Sequence, residues 1–228
     1  MLSTWLLFAR LISMKTKSSR APKPQKKTRD LEKSRKEILD VAFFEVFTRG
    51  FQGVSVDDIV KKTSLTKGAF YHHFPTKMDL GYALVDDVIK PMTVARWTQP
   101  LEKYENPLEG ILDQMKNLIG KANPSHLKYG CPLNNLIQEM APIDDGFKKR
   151  LQAALNLWID ETEKHLKRAK KAGYLKSDVN AKQVAYFVVM AHEGFYGILK
   201  GLNDNTAFEA LFDSLKKYFK TIENQPSR

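Results

Sequence analysis

Apolar side chains recur at intervals of three and four residues along most of this chain from residue 34 onward, which is the spacing of one face of an α-helix. The first such series consists of Ile38, Leu39, Ala42, Phe43, Val46 and Phe47. Ser34 and Glu37 form a predicted capping box at its start, and Gly50 supplies a stop signal. We therefore expect the first helix to begin near residue 34 and to end just before Gly50.

The next three helices are predicted from their start signals. Ser55–Asp58 is a second capping box, and Thr66 is placed to cap a third helix that Pro75 closes. Thr76–Asp79 is a further box, opening a longer helix that reaches about Trp97. A helix followed by a short helix, a three-residue turn and another short helix is the plan of a helix-turn-helix motif. In that plan the second helix of the pair enters the DNA major groove.

The rest of the chain also shows helical spacing, with no alternating strand pattern. Further helices are expected over about residues 108–119, 131–140, 147–169, 180–202 and 206–222. We therefore predict an all-α fold of about nine helices in total. It divides into an arm at residues 1–33, an N-terminal three-helix helix-turn-helix domain at 34–80 with its motif at about 55–74, and a larger helical domain at 81–228.

Positive charge is concentrated at the N-terminus. The chain holds 37 Lys+Arg against 26 Asp+Glu, a net charge of +11, and residues 1–33 hold nine basic and two acidic side chains. Residues 14–30 contain no large apolar residue after Met14, so we expect a disordered basic arm. This charge balance indicates a partner that carries phosphate groups, or an anionic membrane.

An apolar stretch at residues 1–13 precedes the arm. It is too short to span a bilayer, which takes about 20 residues, and it lacks the basic start and cleavage site of a signal peptide. Met14 is a more natural start, so we interpret residues 1–13 as an over-long start assignment. No other segment is apolar enough to cross a bilayer. We expect a cytoplasmic, nucleoid-associated protein with no membrane partner.

The predicted recognition helix carries groups suited to DNA. Lys67 is at its exposed start, where base edges are reached, and the two small residues that follow allow close approach to the groove. Hydroxyl, imidazole and ammonium groups for phosphate oxygens follow, whereas Phe70 and Phe74 are expected in the core. The predicted DNA-binding residues are Ser55, Val56, Thr66, Lys67, Gly68, Ala69, Tyr71, His72, His73 and Lys77. The alternative is that the rings only pack the core and the histidines only face solvent.

The stretch VSVDDIVKKTSLTKGAFYHHFPTKMDL resembles the DNA-binding signature of the TetR family of bacterial transcriptional regulators, and the preceding ILDVAFFEVFTRGF resembles that family's first helix. The resemblance covers roughly residues 34–82. It implies a helical homodimer on double-stranded operator DNA, with a C-terminal domain for ligand binding and dimerisation at 81–228. It also implies that Lys67, Gly68, Ala69, Tyr71, His73 and Lys77 face the operator. One departure is Ser64, in a turn where the family usually has Gly.

Residues 180–202 are apolar on nearly every face, with Gly194, Gly197 and Gly201 on successive turns. A helix that is apolar all round must be covered on all sides. We therefore expect this helix and the last one to form half of an intersubunit four-helix bundle; the alternative is a purely intramolecular core. The predicted dimer-interface residues are Phe187, Ala191, Gly194, Ile198, Gly201, Phe208, Leu211, Phe212, Leu215 and Phe219.

A pocket for a small apolar or aromatic inducer is expected within the helical body, because ligand pockets are mostly apolar with a few placed polar groups. The predicted lining is Trp97, Met115, Leu118, Cys131, Asn134, Gln138, Met140, Trp158, Phe187, Met190, His192 and Phe195. Each of these residues has ordinary core packing as its alternative. The run GCPLNNLIQEM also resembles a segment found in many TetR regulators of this subtype, but it identifies no inducer.

Cys131 is the single cysteine, which excludes an intramolecular disulfide and a multi-cysteine zinc site. It precedes a proline near a predicted helix start, where the helix dipole favours a thiolate. A redox or electrophile sensor and an inert buried cysteine are the two interpretations.

Enzyme chemistry finds no support in the sequence. His192-Glu193 begins like a zinc-protease box, but no histidine follows at the required spacing, and neither a Gly-rich phosphate loop nor a G-x-S-x-G elbow is present. We predict no catalytic residues, no metal site and no cofactor. The predicted function is a ligand-responsive repressor released from a palindromic operator. The alternatives are a constitutive DNA-binding or architectural protein, and a membrane-surface protein that uses residues 1–29.

Overall fold

The computed structural model describes residues 26–122, 127–202 and 206–224, with side chains from residue 30 onward. The predicted arm up to residue 25, and the start assignment within it, lie outside the described residues. The described residues form nine α-helices and no β-strand, apart from an isolated bridge between Leu175 and Glu223. The predicted all-α fold is thus confirmed. None of the described helices is both long enough and apolar enough to cross a membrane.

Helix α1 spans Lys26–Arg49, so it begins eight residues before the predicted start. The capping box predicted at Ser34 and Glu37 is wrong because both side chains bond to distant parts of the chain. The Ser34 hydroxyl pairs with His73, and the Glu37 carboxylate accepts hydrogen bonds from the backbone N–H and hydroxyl of Ser64. Residues 26–33 are therefore helical and do not belong to a disordered arm.

The helix-turn-helix elements have the predicted caps. Helix α2 spans Val56–Val60 behind the Ser55–Asp58 capping box, and helix α3 spans Lys67–His73 with Thr66 accepting from the Ala69 N–H. Beneath them, the Glu45 carboxylate of α1 is buried and forms ion pairs with Lys62 and Arg49. This buried acceptor ties α1 to the loop between α2 and α3.

Helix α4 starts at a capping box as Lys77–Ala83 and continues as π-helical Leu84–Ile89, α-helical Lys90–Thr93 and π-helical Val94–Thr98. A short 3₁₀ turn, Gln99–Lys103, follows. Both π-helical turns of α4 end two residues before a proline, Pro91 or Pro100. Proline cannot donate a backbone hydrogen bond and disturbs the regular helical pattern around it. The wide turns therefore accommodate prolines inside one long helical run.

Five more helices complete the described chain. Helix α5 spans Pro107–Met115 and continues as π-helical Lys116–Gly120, and α6 spans Pro132–Met140. The last three are α7 Asp145–Lys171, α8 Ala181–Leu202 and α9 Thr206–Ile222. Gly173, predicted as the stop of the long helix α7, has a φ of +85°, a left-handed conformation that glycine adopts without strain.

The chain divides into two compact units whose bounds differ from the predicted domains. The first unit comprises Met1–Met92 and Leu136–Arg150, and the second comprises Thr93–Asn135 and Leu151–Arg228. Three helices, α4, α6 and α7, contribute residues to both units. The first unit is therefore the helix-turn-helix region together with the corner between α6 and α7.

Each unit has its own apolar core. In the first unit, Phe51 packs edge-to-face on Phe147 with 4.9 Å between ring centroids, and a Cβ at Gly81 would collide with both rings. Other fully buried side chains of this unit are Ile38, Ile59, Phe70, Leu80 and Leu84. The second unit buries Leu101, Leu108, Met115, Ile119, Leu166 and Phe219.

Candidate DNA-binding surface and buried polar cluster

Helix α3 presents one polar face and buries the other. Phe70 is fully buried and packs edge-to-face on the ring of Tyr71, whereas Tyr71 itself is 44 % exposed. Lys67, Gly68 and His72 are also exposed. Because residues four apart lie on the same side of a helix, Lys67 stands with Tyr71 and Gly68 with His72. The exposed face thus combines an ammonium, a phenol and an imidazole around one small residue.

An ion pair orients the start of this face. Lys67 Nζ lies 2.8 Å from Asp57 Oδ1, which joins α3 to α2, and the hydrogen bond from this lysine raises its pKa. Both side chains are more than half exposed, so the lysine remains accessible to another anion. The neighbouring caps, Ser55 and Thr66, use their hydroxyls within the chain. These two caps therefore fix the starts of α2 and α3.

His73 at the end of α3 faces inward. Its Nε2 is 2.7 Å from Ser34 Oγ, and that hydroxyl donates to the Leu31 carbonyl, so the imidazole N–H is the donor in the pair. Burial lowers the pKa of His73, and the nearby His72 and Arg35 lower it further. The ring is therefore a neutral link between α3 and α1.

Lys77 lies partly buried at the start of α4. Its ammonium is 4.5 Å from the centroid of the Phe51 ring, a cation–π arrangement, and burial lowers its pKa. Lys77 therefore anchors α4 on the core of the first unit.

The loop after α1 is held by a carboxylate that the sequence did not reveal. Glu139 of α6 accepts hydrogen bonds from the backbone N–H groups of Phe51 and Gln52, at 2.9 and 2.7 Å. The chain turns there at Gly50, whose φ is +79°. Asp144 and Arg150 make further links to α4 within this unit, through Tyr82 and Asp86. Hydrogen bonds to Glu139 therefore fix the end of α6 to the helix-turn-helix region.

The second unit contains a buried aromatic cluster centred on His192, which is 1 % exposed. Its ring centroid is 4.1 Å from that of Trp97 and 4.6 Å from that of Trp158, at interplanar angles of 78° and 85°. Tyr196 contributes a third ring, at 4.9 Å. These are edge-to-face contacts, which favour aromatic pairs beyond simple burial.

Polar atoms inside this cluster lack hydrogen-bond partners. His192 Nδ1 is 3.1 Å from Glu193 Oε1. Within the described parts of the chain, His192 Nε2, Glu193 Oε2 and Arg96 Nε are buried without a partner. Burial lowers the pKa of His192; the Glu193 carboxylate opposes this shift and the Arg96 guanidinium adds to it. A neutral imidazole, a carboxylate and a guanidinium with unused hydrogen-bonding capacity are the chemistry of a site for a polar ligand.

Cys131 lies beside the same polar groups, directly before α6. Burial raises the pKa of its thiol well above the usual value, and the Glu193 carboxylate adds to the shift. The backbone N–H groups of Asn134 and Leu133 favour the thiolate, but more weakly. The expectation that the helix dipole lowers this pKa is therefore wrong, because burial and a neighbouring anion outweigh it. The raised pKa favours the protonated thiol over the more nucleophilic thiolate.

Two family models together cover most of the helical chain. The model of bacterial regulatory proteins of the tetR family matches residues 38–83, and the model of the tetracyclin repressor-like C-terminal domain matches residues 107–215. The chain belongs to the TetR family. It is a DNA-binding transcriptional regulator and not an enzyme, as the sequence predicted. Regulators of the TetR family bind operator DNA as homodimers and respond to small molecules.

Relatives of this chain include other HTH-type regulators and a solved TetR-family structure. An HTH-type transcriptional regulator in the lacX 3′ region of Lactococcus lactis subsp. lactis is 25 % identical over 193 residues, 85 % of this chain and 96 % of that protein. The HTH-type transcriptional repressor DhaR of Mycobacterium sp. (strain GP1) is 21 % identical, over 64 % of this chain and 72 % of its own. The crystal structure of a TetR-family regulator from Cytophaga hutchinsonii superimposes with a TM-score of 0.77 at 22 % identity, covering 90 % of this chain and all of that one.

The predicted ligand-lining residues of this TetR regulator fall into different places. Trp97, Cys131, Trp158 and His192 meet in the buried cluster. Met190 is 60 % exposed, and Phe187 packs on Tyr218 of α9. Met115 and Phe195 are buried elsewhere in the second unit, where Leu118 and Asn134 are half-buried. Gln138 and Met140 belong to the first unit.

The predicted dimer-interface residues divide in the same way. Phe208, Phe212, Leu215 and Phe219 are buried inside the single chain, so they build its own core. Phe187, Ala191 and Leu211 are half-buried. Gly194, Ile198 and Gly201 lie on an exposed apolar face of α8, together with Tyr186, Met190, Gly197 and Leu202. We call this set the α8 face.

Sequence reasoning missed Arg96, Glu193, Tyr196 and Glu139. The one sequence signal for Glu193 is its position next to His192, and no second histidine follows at the zinc-protease spacing. Arg96, Tyr196 and Glu139 carry no local motif. Their roles arise from contacts between helices that are distant in sequence.

Proposed function

We propose that this TetR-family protein is a ligand-responsive repressor that binds a palindromic operator as a homodimer in the cytoplasm. The observation that carries the proposal is the exposed polar face of α3, with Lys67 and Tyr71 on one side of a helix whose start is fixed by the Thr66 cap. The repressor role is supported by the name of the DhaR relative. Nothing in this assignment requires a catalytic group or a cofactor.

The roles of the DNA-facing residues follow from their exposure. Lys67 contacts a base edge, and the small side chain of Ala69 allows the DNA to approach α3 closely. Tyr71 and His72 contact phosphate oxygens, because both are exposed. His73, which bonds to Ser34, and Lys77, which lies over the Phe51 ring, hold α3 and α4 in place beside the DNA backbone.

Dimerisation is assigned to the α8 face. The glycines at positions 194, 197 and 201 have open space where a Cβ would stand, and large apolar side chains flank them. An exposed apolar surface on a long helix favours a partner helix at close range. Two copies would place their recognition helices on half-sites about 34–36 Å apart, or a multiple of that distance.

The buried cluster is the proposed ligand site, since it combines aromatic walls with polar atoms that lack partners. Helix α6 is the proposed route to the DNA-binding region. Its first turn lies next to Cys131, and Glu139 near its end holds the backbone of Phe51 and Gln52. A ligand that displaces the start of this stiff element would move the loop that follows α1.

The difference in binding free energy that a ligand needs in order to release the operator is modest. A ligand shifts the equilibrium only if it binds the released state better than the DNA-competent state. A difference of about 1–3 kcal/mol, the usual range of allosteric coupling, lowers operator affinity about 5–150-fold.

Selection of operator DNA tests the repressor proposal. Sheared genomic DNA retained by the purified protein at moderate salt is sequenced, and the enriched fragments are footprinted. We expect a short palindrome whose two protected half-sites lie on one face of the duplex. Enrichment without a shared palindrome would contradict operator recognition and would favour the architectural alternative.

The ligand part of the proposal has a separate test. Apolar and aromatic metabolites, including aromatic ones that carry polar groups, are screened by thermal shift, and each hit is added to an operator titration. Stabilising ligands are expected to weaken operator binding. Hits that stabilise the protein and leave operator affinity unchanged would contradict the inducer mechanism and leave a constitutive repressor.

A further inference from the structure

Three potential metal ligands meet inside the second unit. Cys131, His192 and Glu193 each offer one ligand atom, and these atoms all lie within 4.8 Å of one another. Cys131 precedes α6, whereas the other two are adjacent on α8, so two helices bring them together. Both Cys131 and His192 are buried.

Unused hydrogen-bonding capacity gives an independent sign of a ligand at this place. His192 Nε2 and Glu193 Oε2 are buried without a partner among the residues that the structure describes. Buried polar atoms without partners are uncommon and destabilising in proteins, and each one calls for an explanation. One metal ion coordinated by the imidazole, the carboxylate and the neighbouring thiol would give these buried groups a partner.

We propose that Cys131, His192 and Glu193 bind one divalent transition-metal ion, for which Zn²⁺ is the best fit. Sulfur, imidazole nitrogen and carboxylate oxygen are the ligands that zinc takes in proteins, at about 2.3, 2.0–2.1 and 2.0–2.2 Å. Tetrahedral geometry with those lengths separates the ligand atoms by roughly 3.3–3.8 Å. Side-chain adjustments of about 1 Å or less therefore close the observed cluster around an ion. Mg²⁺ and Ca²⁺ prefer all-oxygen sites and fit this donor set poorly.

Charge and proton balance are consistent with this assignment. Binding replaces the thiol proton, which leaves to solvent, and a thiolate with a carboxylate then neutralises the two positive charges of the ion. His192 binds in its neutral form, with no proton released. The other groups facing the cluster are the Arg96 guanidinium and the aromatic rings of Trp97, Trp158 and Tyr196. Three protein ligands leave a fourth position for water or a small molecule.

Cobalt spectroscopy on the full chain tests the site directly. The purified protein is stripped with a chelator and titrated with Co²⁺. We expect a thiolate-to-cobalt charge-transfer band and the visible bands of a tetrahedral ion, saturating at one ion per chain and lost on addition of Zn²⁺. Because Cys131 is the single cysteine, the charge-transfer band has only one possible source. Wild-type protein that shows no such band would overturn the proposal, whatever the variants do.

Variants identify the ligands. Cys131→Ser and His192→Gln should each weaken Co²⁺ binding by more than about 100-fold, because changes in the outer shell of a metal site alone cost 10–100-fold. His165→Gln is the matched control, since His165 is a second buried histidine of the same unit outside the cluster, and it should bind Co²⁺ like wild type. Circular dichroism verifies folding of each variant. Folded Cys131→Ser protein that keeps the wild-type spectrum would contradict the assignment. The readout involves no DNA, so its outcome is independent of the operator proposal.

Discussion

Lys67 is the residue on which sequence preference is expected to depend most. Its ion pair with Asp57 is exposed, so removing the side chain is expected to leave the fold intact. Lys67→Ala should lower the preference for the correct base at one operator position by about 10-fold and change the other positions little. Fluorescence anisotropy with a set of operators, each altered at one base pair, measures this profile.

The control for Lys67 is Lys164→Ala. Lys164 also forms an exposed ion pair, with Glu161 at 3.2 Å on α7, and its removal changes the net charge by the same amount. We expect its base-preference profile to match that of wild type. A Lys67→Ala profile that is also indistinguishable from wild type would remove Lys67 from the base-reading face.

His165 makes the stability of the protein dependent on pH. Burial lowers its pKa, and Arg168 contributes to the shift. Its pKa is thus lower in the folded chain than in the unfolded chain, where it is about 6.5. As the pH falls below that value, the unfolded state takes up the proton first, so the free energy of unfolding decreases. His165→Gln should make this decrease shallower in urea titrations between pH 7 and pH 5. An unchanged slope would show that His165 is not responsible.

At the scale of the elements, the connection between Glu139 and the loop after α1 is the feature to test. Glu139→Gln keeps the shape of the side chain but leaves one oxygen, so at least one of the two N–H groups of Phe51 and Gln52 loses its acceptor. Losing a buried or partly buried partner costs about 1–3 kcal/mol. We expect these two amides to exchange with solvent at least about 5-fold faster, as measured by NMR.

Glu209→Gln, at an exposed position in the first turn of α9, is the control for this exchange experiment. It should leave the amides of Phe51 and Gln52 unchanged. If Glu139→Gln also left them unchanged, α6 would have no hold on the loop, and the proposed route from ligand to DNA would fail.

Local signals predicted the short helices well, and long-range contacts explain where prediction failed. The capping boxes at Ser55 and Thr76 are formed as expected because each uses groups only three residues apart. The same signature at Ser34 misplaced the start of α1, since His73 and Ser64 bind the two polar side chains instead. Sequence spacing carries no information about partners 27 to 39 residues away.

The buried cluster could also be predicted only in part from the sequence. The rings of Trp97 and Trp158 could be named from the sequence because large aromatic residues in a helical body indicate a pocket wall. Arg96 and Glu193 could not, because on sequence alone each is a charged residue expected on the surface. Only the packing of α4 and α8 within the second unit buries Arg96 Nε and Glu193 Oε2 without a hydrogen-bond partner.

At the scale of the whole molecule, Gly197→Leu tests dimerisation without disturbing the fold of the single chain. A Cβ at Gly197 meets nothing within 4 Å in the single chain, and leucine is a better helix former than glycine. Overpacking costs about 1–3 kcal/mol for each copy of a crowded site. We therefore expect the dissociation constant of the dimer to rise at least about 30-fold in sedimentation equilibrium, while the helical content is unchanged.

Asn156→Leu adds the same side chain at an exposed position on a different helix, α7. It should leave the dimer intact. A Gly197→Leu protein that sediments as an unchanged dimer would place the interface elsewhere.

We propose that two chains act together on one palindromic operator. The most direct measurement is an anisotropy titration, at one fixed salt concentration, of the selected operator and of the same duplex with one half-site scrambled. Because each mismatched base pair costs about 1–3 kcal/mol, roughly additively, the scrambled duplex should bind at least about 100-fold more weakly. Equal affinity for the two duplexes would contradict binding of both half-sites by a dimer.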